Sequence, residues 1–158
     1  QVAKVRALGI DDIIISGYPK PIEGTRFVAD RYPLKGPLGG IHAGLSIAGH
    51  MHCLVLSVDT PLVPTEALSE LINAHLKGSG NITILSHGNK TEPLIGVYER
   101  WLCGIAEQIL TSDNTSVRVL FRKAGLSTCE YSGDERLLFN CNTPSEYDML
   151  LCASVSQQ

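Results

Sequence analysis

The amino-acid sequence predicts an α/β fold: a mostly parallel sheet with helices on both faces. Short β-branched runs alternate with helical stripes along the whole length. The best strand-like runs are apolar on both faces, as strands buried within a parallel sheet are. A chain of 158 residues, 44% hydrophobic and 18% charged, suffices for one domain with a sizeable core, so residues 1–158 are read as a single unit.

Taken in order, Val2, Val5, Leu8 and Ile10 read as the end of a helix closed by Gly9, and Ile13-Ile14-Ile15-Ser16 as a buried strand followed by Gly17 and Pro19. Arg26 to Asp30 is a second, short strand ended by Pro33. Gly36-Pro37-Leu38-Gly39-Gly40 leads into a helix through Ile41, Leu45 and Ile47, with Pro37 near the first turn, where its missing N–H costs little. Cys53 to Val58 is the strongest strand and is expected at the centre of the sheet; it runs into Asp59-Thr60-Pro61. After Pro64, the spacing of Leu68, Leu71, Ile72 and Leu76 gives an amphipathic helix stopped at Gly78. Asn81 to Leu85 and Leu94 to Tyr98 are two strands separated by the polar turn His87-Gly88-Asn89-Lys90. Trp101, Ile105, Ile109 and Leu110 form one helical stripe, and Val117, Leu120 and Phe121 a shorter one ending at Gly125. Thr128 to Tyr131 is a strand. Thr143-Pro144-Ser145-Glu146 is a capping box opening a last helix through Tyr147, Leu150 and Leu151.

The totals exclude several functions. A formal charge of −3 and a pI near 5.9 give no long-range attraction for a polyanion, so no nucleic-acid partner is expected. No apolar run is long enough to cross a bilayer and no secretory pattern opens the chain, so no membrane partner is expected and the expected address is cytoplasmic. Cys53, Cys103, Cys129, Cys141 and Cys152 are odd in number, widely spaced and mostly inside apolar runs, which suits buried thiols in a reducing compartment. His50 and His52 alternate at the mouth of a strand while His42, His75 and His87 stand alone. A zinc cluster needs ligands gathered from distant segments, so ordinary histidines are the expected reading. No Ser-His-Asp arrangement, GxSxG or complete P-loop is present.

In sheets of this kind ligands sit beyond the carboxyl ends of the strands. Asp59, directly after the most apolar strand, stands where a magnesium ligand belongs, or merely caps the turn before Pro61. Gly36, Gly39 and Gly40 lack β-carbons, so the backbone there can approach a ligand, or simply packs a tight turn. Asp30 can accept bonds from a ribose hydroxyl or a base edge, or is a solvated loop acid. Asn140 and Asn142 lie two apart, on one side of an extended segment, and offer amides to a purine or pterin edge or to turn formation.

Read in order, Ile13 to Gly17, Asp30 before Gly36-Pro37-Leu38-Gly39-Gly40, Leu56-Ser57-Val58-Asp59-Thr60-Pro61, Glu92-Pro93-Leu94 with Tyr98, and Phe139-Asn140-Cys141-Asn142-Thr143-Pro144 resemble the molybdenum cofactor guanylyltransferases, the molybdopterin-guanine dinucleotide biosynthesis protein A family. The resemblance implies a Rossmann-like nucleotidyltransferase fold and transfer of GMP from GTP to molybdopterin with release of pyrophosphate and with Mg2+. It implies that Asp59 is the catalytic metal ligand and a GTP contact. Ser16, Asp30, Gly36, Pro37, Leu38 and Gly39 are implied nucleotide contacts, Ser16 standing at a position that also carries Asn in the family. Asn140 and Asn142 are implied molybdopterin contacts, and molybdoenzymes or their chaperones are implied protein partners. The family's opening strand and Leu-Ala-Gly-Gly loop, with its Lys, have no counterpart here, a gap of roughly 30 to 40 residues, the size of a βα unit. The first βα unit is therefore expected to be missing and the 158 residues alone to be inactive. Two rival readings stay open: a CTP-dependent or sugar-phosphate nucleotidyltransferase of the same fold, and a non-catalytic nucleotide-binding module.

Overall fold

The computed structural model describes residues 1–17, 20, 22–141, 143, 145 and 146. Helix α1 (Val2–Ala7) leads to β1 (Ile14–Ser16) and β2 (Arg26–Val28), which pair in parallel as a two-stranded sheet. Helix α2 (Pro37–Ile47) follows, then β3 (His52–Leu56), α3 (Thr65–Lys77), β4 (Ile82–His87), β5 (Lys90–Glu99), α4 (Leu102–Leu110), α5 (Val117–Ala124) and β6 (Ser127–Glu130). A short 3-10 turn, Glu135–Leu138, comes last among the described elements. Each strand and helix expected within these residues is present, displaced by a few residues at most.

The sheet corrects the expectation of mostly parallel pairing. Its four strands run in the order β3-β5-β4-β6, with β5 antiparallel to both neighbours and only β4 and β6 paired in parallel. The cause is local. His87 pairs with Lys90, leaving a two-residue turn, Gly88-Asn89, and a connection that short can only fold a strand back beside its predecessor. β3, β4 and β6 still point the same way, because β5 alone is reversed and inserts between β3 and β4. Nor is β3 central: among the described residues its only paired neighbour is β5, and Cys53 to Leu56 are half-buried.

Pro93 lies inside β5, where a missing N–H normally breaks a ladder. It is tolerated because the register slips there: Ile84 faces Gly96 while Leu85 faces Glu92, so a bulge absorbs the intervening residues. The Tyr98 hydroxyl donates to the Pro93 carbonyl at 2.5 Å across this irregularity. Its ring is fully buried, and burial pushes its hydroxyl pKa far up.

Helices cover both faces of the sheet. On one, Leu38, Ile41 and Leu45 of α2, Leu102, Ala106, Ile109 and Leu110 of α4, and Leu120 of α5 pack with Ile82, Ile84 and Tyr98, against Cys53 and Val55 of β3. On the other, Leu68 and Leu71 of α3 pack with Val63, Leu85, Ile95 and Val97, against Leu54 and Leu56. The period-two alternation of β3 thus sends odd residues to α2 and α4 and even ones to α3. The capping box forms as expected: the Thr143 N–H donates to Glu146 Oε2 at 2.9 Å and the Glu146 N–H to Thr143 Oγ1 at 3.3 Å. The continuation through Tyr147, Leu150 and Leu151 lies outside the described residues. No described helix is long and apolar enough to cross a membrane.

Candidate nucleotide cleft

Asp59 leaves the carboxyl end of β3 on a loop whose shape is fixed by its own side chains and by α1. The Asp59 N–H donates to Ser57 Oγ at 3.1 Å, and buried Thr60 bonds through Oγ1 to the Ser57 carbonyl. From α1 and the residue before it, Gln1 Nε2 donates to the carbonyls of Ser57 and Thr60 at 2.7 and 2.8 Å. Lys4 Nζ reaches the Val63 carbonyl at 2.7 Å and the Pro61 carbonyl as well. This burial lowers the pKa of the Lys4 ammonium. Farther along the chain, the Cys141 N–H donates to the Asp59 carbonyl at 2.6 Å, tying the Asn140-Cys141 segment to the same loop. The Asp59 side chain itself is exposed, and no hydrogen bond or ion pair engages its carboxylate among the described residues.

A cleft of about 210 Å3 opens here, lined by Pro37, Ser57, Asp59, Thr60, Glu92, Pro93, Leu94, Ile95, Val117 and Asn140. Drug-sized ligands fill pockets of roughly 300–1,000 Å3, so these walls have room for only part of such a ligand. Three of the residues expected from sequence, Pro37, Asp59 and Asn140, come together in it. Ser16, Asp30 and Gly39 gather separately, around the first turn of α2. There a β-carbon added to Gly39 would stand 2.6 Å from Asp30 Oδ2, so only glycine lets the Asp30 carboxylate lie against the helix. The Asp30 Oδ1 accepts from the Tyr32 N–H at 2.8 Å, and Ser16 Oγ lies 3.8 Å from where a β-carbon on Gly40 would stand. Gly36 caps α2 next to the cleft-lining Pro37. Leu38 is fully buried in the core, so only its backbone is available to a ligand. Asn142 lies outside the described residues.

Sequence reasoning did not assign Glu92 to the site. Glu92 lines the cleft, and burial raises its carboxyl pKa, with Lys90 offsetting part of the effect. The signal was its place before Pro93, but nothing in the sequence brings this strand residue into one cleft lining with Asp59. The polar residues of the lining, Asp59, Glu92, Asn140, Ser57 and Thr60, carry oxygen donors with no thiol or imidazole among them, a chemistry that fits a hard cation such as magnesium better than a soft one. No lysine or arginine lines the cleft among the described residues.

The family model of the MobA-like NTP transferase domain matches residues 1–128. A probable molybdenum cofactor guanylyltransferase of Flavobacterium johnsoniae is 36% identical over 117 residues, covering 73% of this chain and 61% of that protein. The molybdenum cofactor guanylyltransferase of Pseudomonas fluorescens is 32% identical over 139 residues, 85% of this chain and 70% of that one. Among solved structures, molybdopterin-guanine dinucleotide biosynthesis protein A of Archaeoglobus fulgidus superposes with a TM-score of 0.68 at 23% identity, over 82% of this chain and 69% of that one, a likeness of fold. The chain thus spans about three fifths of the length of the Flavobacterium relative. With most of its length matched by the family model, the chain belongs to the MobA-like NTP transferase domain family.

Proposed function

We propose that the protein is a molybdenum cofactor guanylyltransferase, acting with Mg2+ in the cytoplasm. A phosphate oxygen of molybdopterin attacks the α-phosphorus of GTP, a new phosphoanhydride forms, the α–β anhydride bond breaks and pyrophosphate leaves. The observation that carries this reading is the exposed Asp59 just past the end of β3, its carboxylate unengaged among the described residues, sharing with Glu92 and Asn140 a cleft edged by Pro37 at the start of α2.

Asp59 and Glu92 would hold the magnesium ion, which supplies charge neutralisation at the phosphates when bound. Asp30, beside Gly39, serves the guanosine, with the backbone of Gly36 to Gly39 and Ser16 completing the nucleotide side. Asn140 and Asn142 orient molybdopterin. A triphosphate brought next to two carboxylates is repelled unless cations compensate, and with no lysine or arginine in the cleft lining among the described residues that compensation falls to the magnesium ion alone. One divalent ion offsets less charge than a triphosphate and two carboxylates carry together, so the 158-residue polypeptide on its own is expected to be inactive. Delivery of the product to molybdoenzymes or their chaperones goes with the same reading.

The test is steady-state kinetics on the full-length protein. Asp59→Ala should lower kcat by about 100- to 1,000-fold, the range for losing one preorganised electrostatic group, while the fold, read by circular dichroism, stays unchanged. A variant retaining more than half the activity would remove Asp59 from the chemistry.

A further inference from the structure

At the opposite end of β3 from Asp59, histidines far apart in sequence meet. His52 opens β3 and Glu99 closes β5, and the register sets these two directly opposite each other. Both share the strand faces of Leu54, Leu56, Ile95 and Val97, which pack against α3. Near its C-terminal end α3 brings His75, fully buried, onto the same spot. His52 Nδ1 lies 2.8 Å and His75 Nε2 3.3 Å from the same Glu99 oxygen, Oε1. The two imidazole rings stand edge to face, with centroids 5.3 Å apart. All three candidate ligand atoms lie within 4.8 Å of one another.

The geometry points to a three-ligand site, His52, His75 and Glu99, for a divalent transition metal of the zinc class. Zinc–nitrogen and zinc–oxygen bonds of about 2.0–2.1 Å in a tetrahedron separate neighbouring ligand atoms by about 3.3 Å, so shifts of a fraction of an ångström to about 1.5 Å convert the observed contacts to ligation. Two imidazoles and one carboxylate suit zinc and its neighbours, whereas the oxygen-only cleft at Asp59 suits magnesium. His75 is held for the task from behind: its Nδ1 is 3.0 Å from Thr83 Oγ1, and an Nδ1–H donated to that hydroxyl turns the Nε2 lone pair toward the ion. The site is open on one side, since the His52 side chain is 42% exposed against 1% for His75 and 12% for Glu99. Solvent can thus deliver the ion and supply its fourth ligand. Bound there, the metal ties α3 to the start of β3 and the end of β5.

The experiment titrates chelator-stripped full-length protein with Co2+ and then displaces it with Zn2+. Wild type should bind one equivalent with the visible d–d bands of a four- or five-coordinate ion and no thiolate charge-transfer band. Asp59→Ala should leave those bands unchanged, and Thr83→Val should weaken binding by about 10-fold, as loss of an outer hydrogen bond does. His52→Ala, a change at an exposed position that spares the core, should weaken it by more than about 100-fold, beyond an outer-partner effect. Absence of saturable binding, bands unmoved by His52→Ala, or a thiolate band signalling ligation by a cysteine would each overturn the assignment.

Discussion

At the scale of single residues, the cleft depends on side chains whose surroundings set their charge. Glu92 is the clearest case, because burial raises its pKa above the ordinary 4.5. The folded protein therefore holds that proton more readily than the unfolded chain. Stability falls as pH rises from 4.5 through the folded value, and the full deficit is present above it. Glu92→Gln should raise the urea midpoint at pH 7 and give no advantage below about pH 4.5, where both forms are neutral. The gain should stay under about 1 kcal/mol, since the side chain is only part-buried and water screens it. A variant equally or less stable at pH 7 would contradict the burial argument. In a cleft that holds a cation the same substitution should also weaken magnesium dependence, which separates a site acid from a misplaced one. Asp59, Asp30 and Asn140 stand out in the sequence because each falls just past the end of an element, and Pro37 because it opens one. Glu92 does not, since it sits inside a strand, beside a register shift that no local pattern announces.

At the scale of elements, the strands and helices were legible from β-branched runs and 3.6-residue stripes, but the pairing of the strands was not. An apolar strand reads the same whichever way its neighbour runs. The decisive feature was the length of the His87-to-Lys90 turn, which forces β5 back against β4 and lets it insert beside β3. The strength of β3 as an apolar run suggested a central place, yet apolarity on both faces reports helices on both faces, not a strand on each side. The antiparallel core also imposes a tight crossing at Gly96. A β-carbon there would stand 2.8 Å from Ile84 Cγ2 and 3.0 Å from both the Thr83 carbonyl and the Tyr98 ring. Because two of these neighbours belong to buried, well-packed side chains and one to backbone, Gly96→Ala should cost about 1–3 kcal/mol, read by denaturant unfolding. A neutral result would mean that β4 and β5 do not cross as closely as described. The scattered histidines teach the same lesson from the other side: His52, His75 and Glu99 are unrelated in sequence and become neighbours only through strand register and the path of α3.

At the scale of the molecule, α1 braces the Asp59 loop, Cys141 clasps it from the C-terminal side, and α2 offers its first turn from a third direction. Three segments far apart in sequence thus converge on one strand end, and this convergence builds the cleft proposed for the nucleotide out of residues that singly could be caps and turns. Family membership and the fold follow from the matched length, while the choice of base is the proposal with the most at stake. The most direct measurement is turnover by the full-length protein with magnesium and molybdopterin, comparing GTP with CTP as nucleotide donors and following pyrophosphate release. The account predicts a kcat/KM for GTP at least about 100-fold above that for CTP, the discrimination available to a site that hydrogen-bonds one base edge. Equal use of the two nucleotides, preference for CTP, or no pyrophosphate release with either would contradict it.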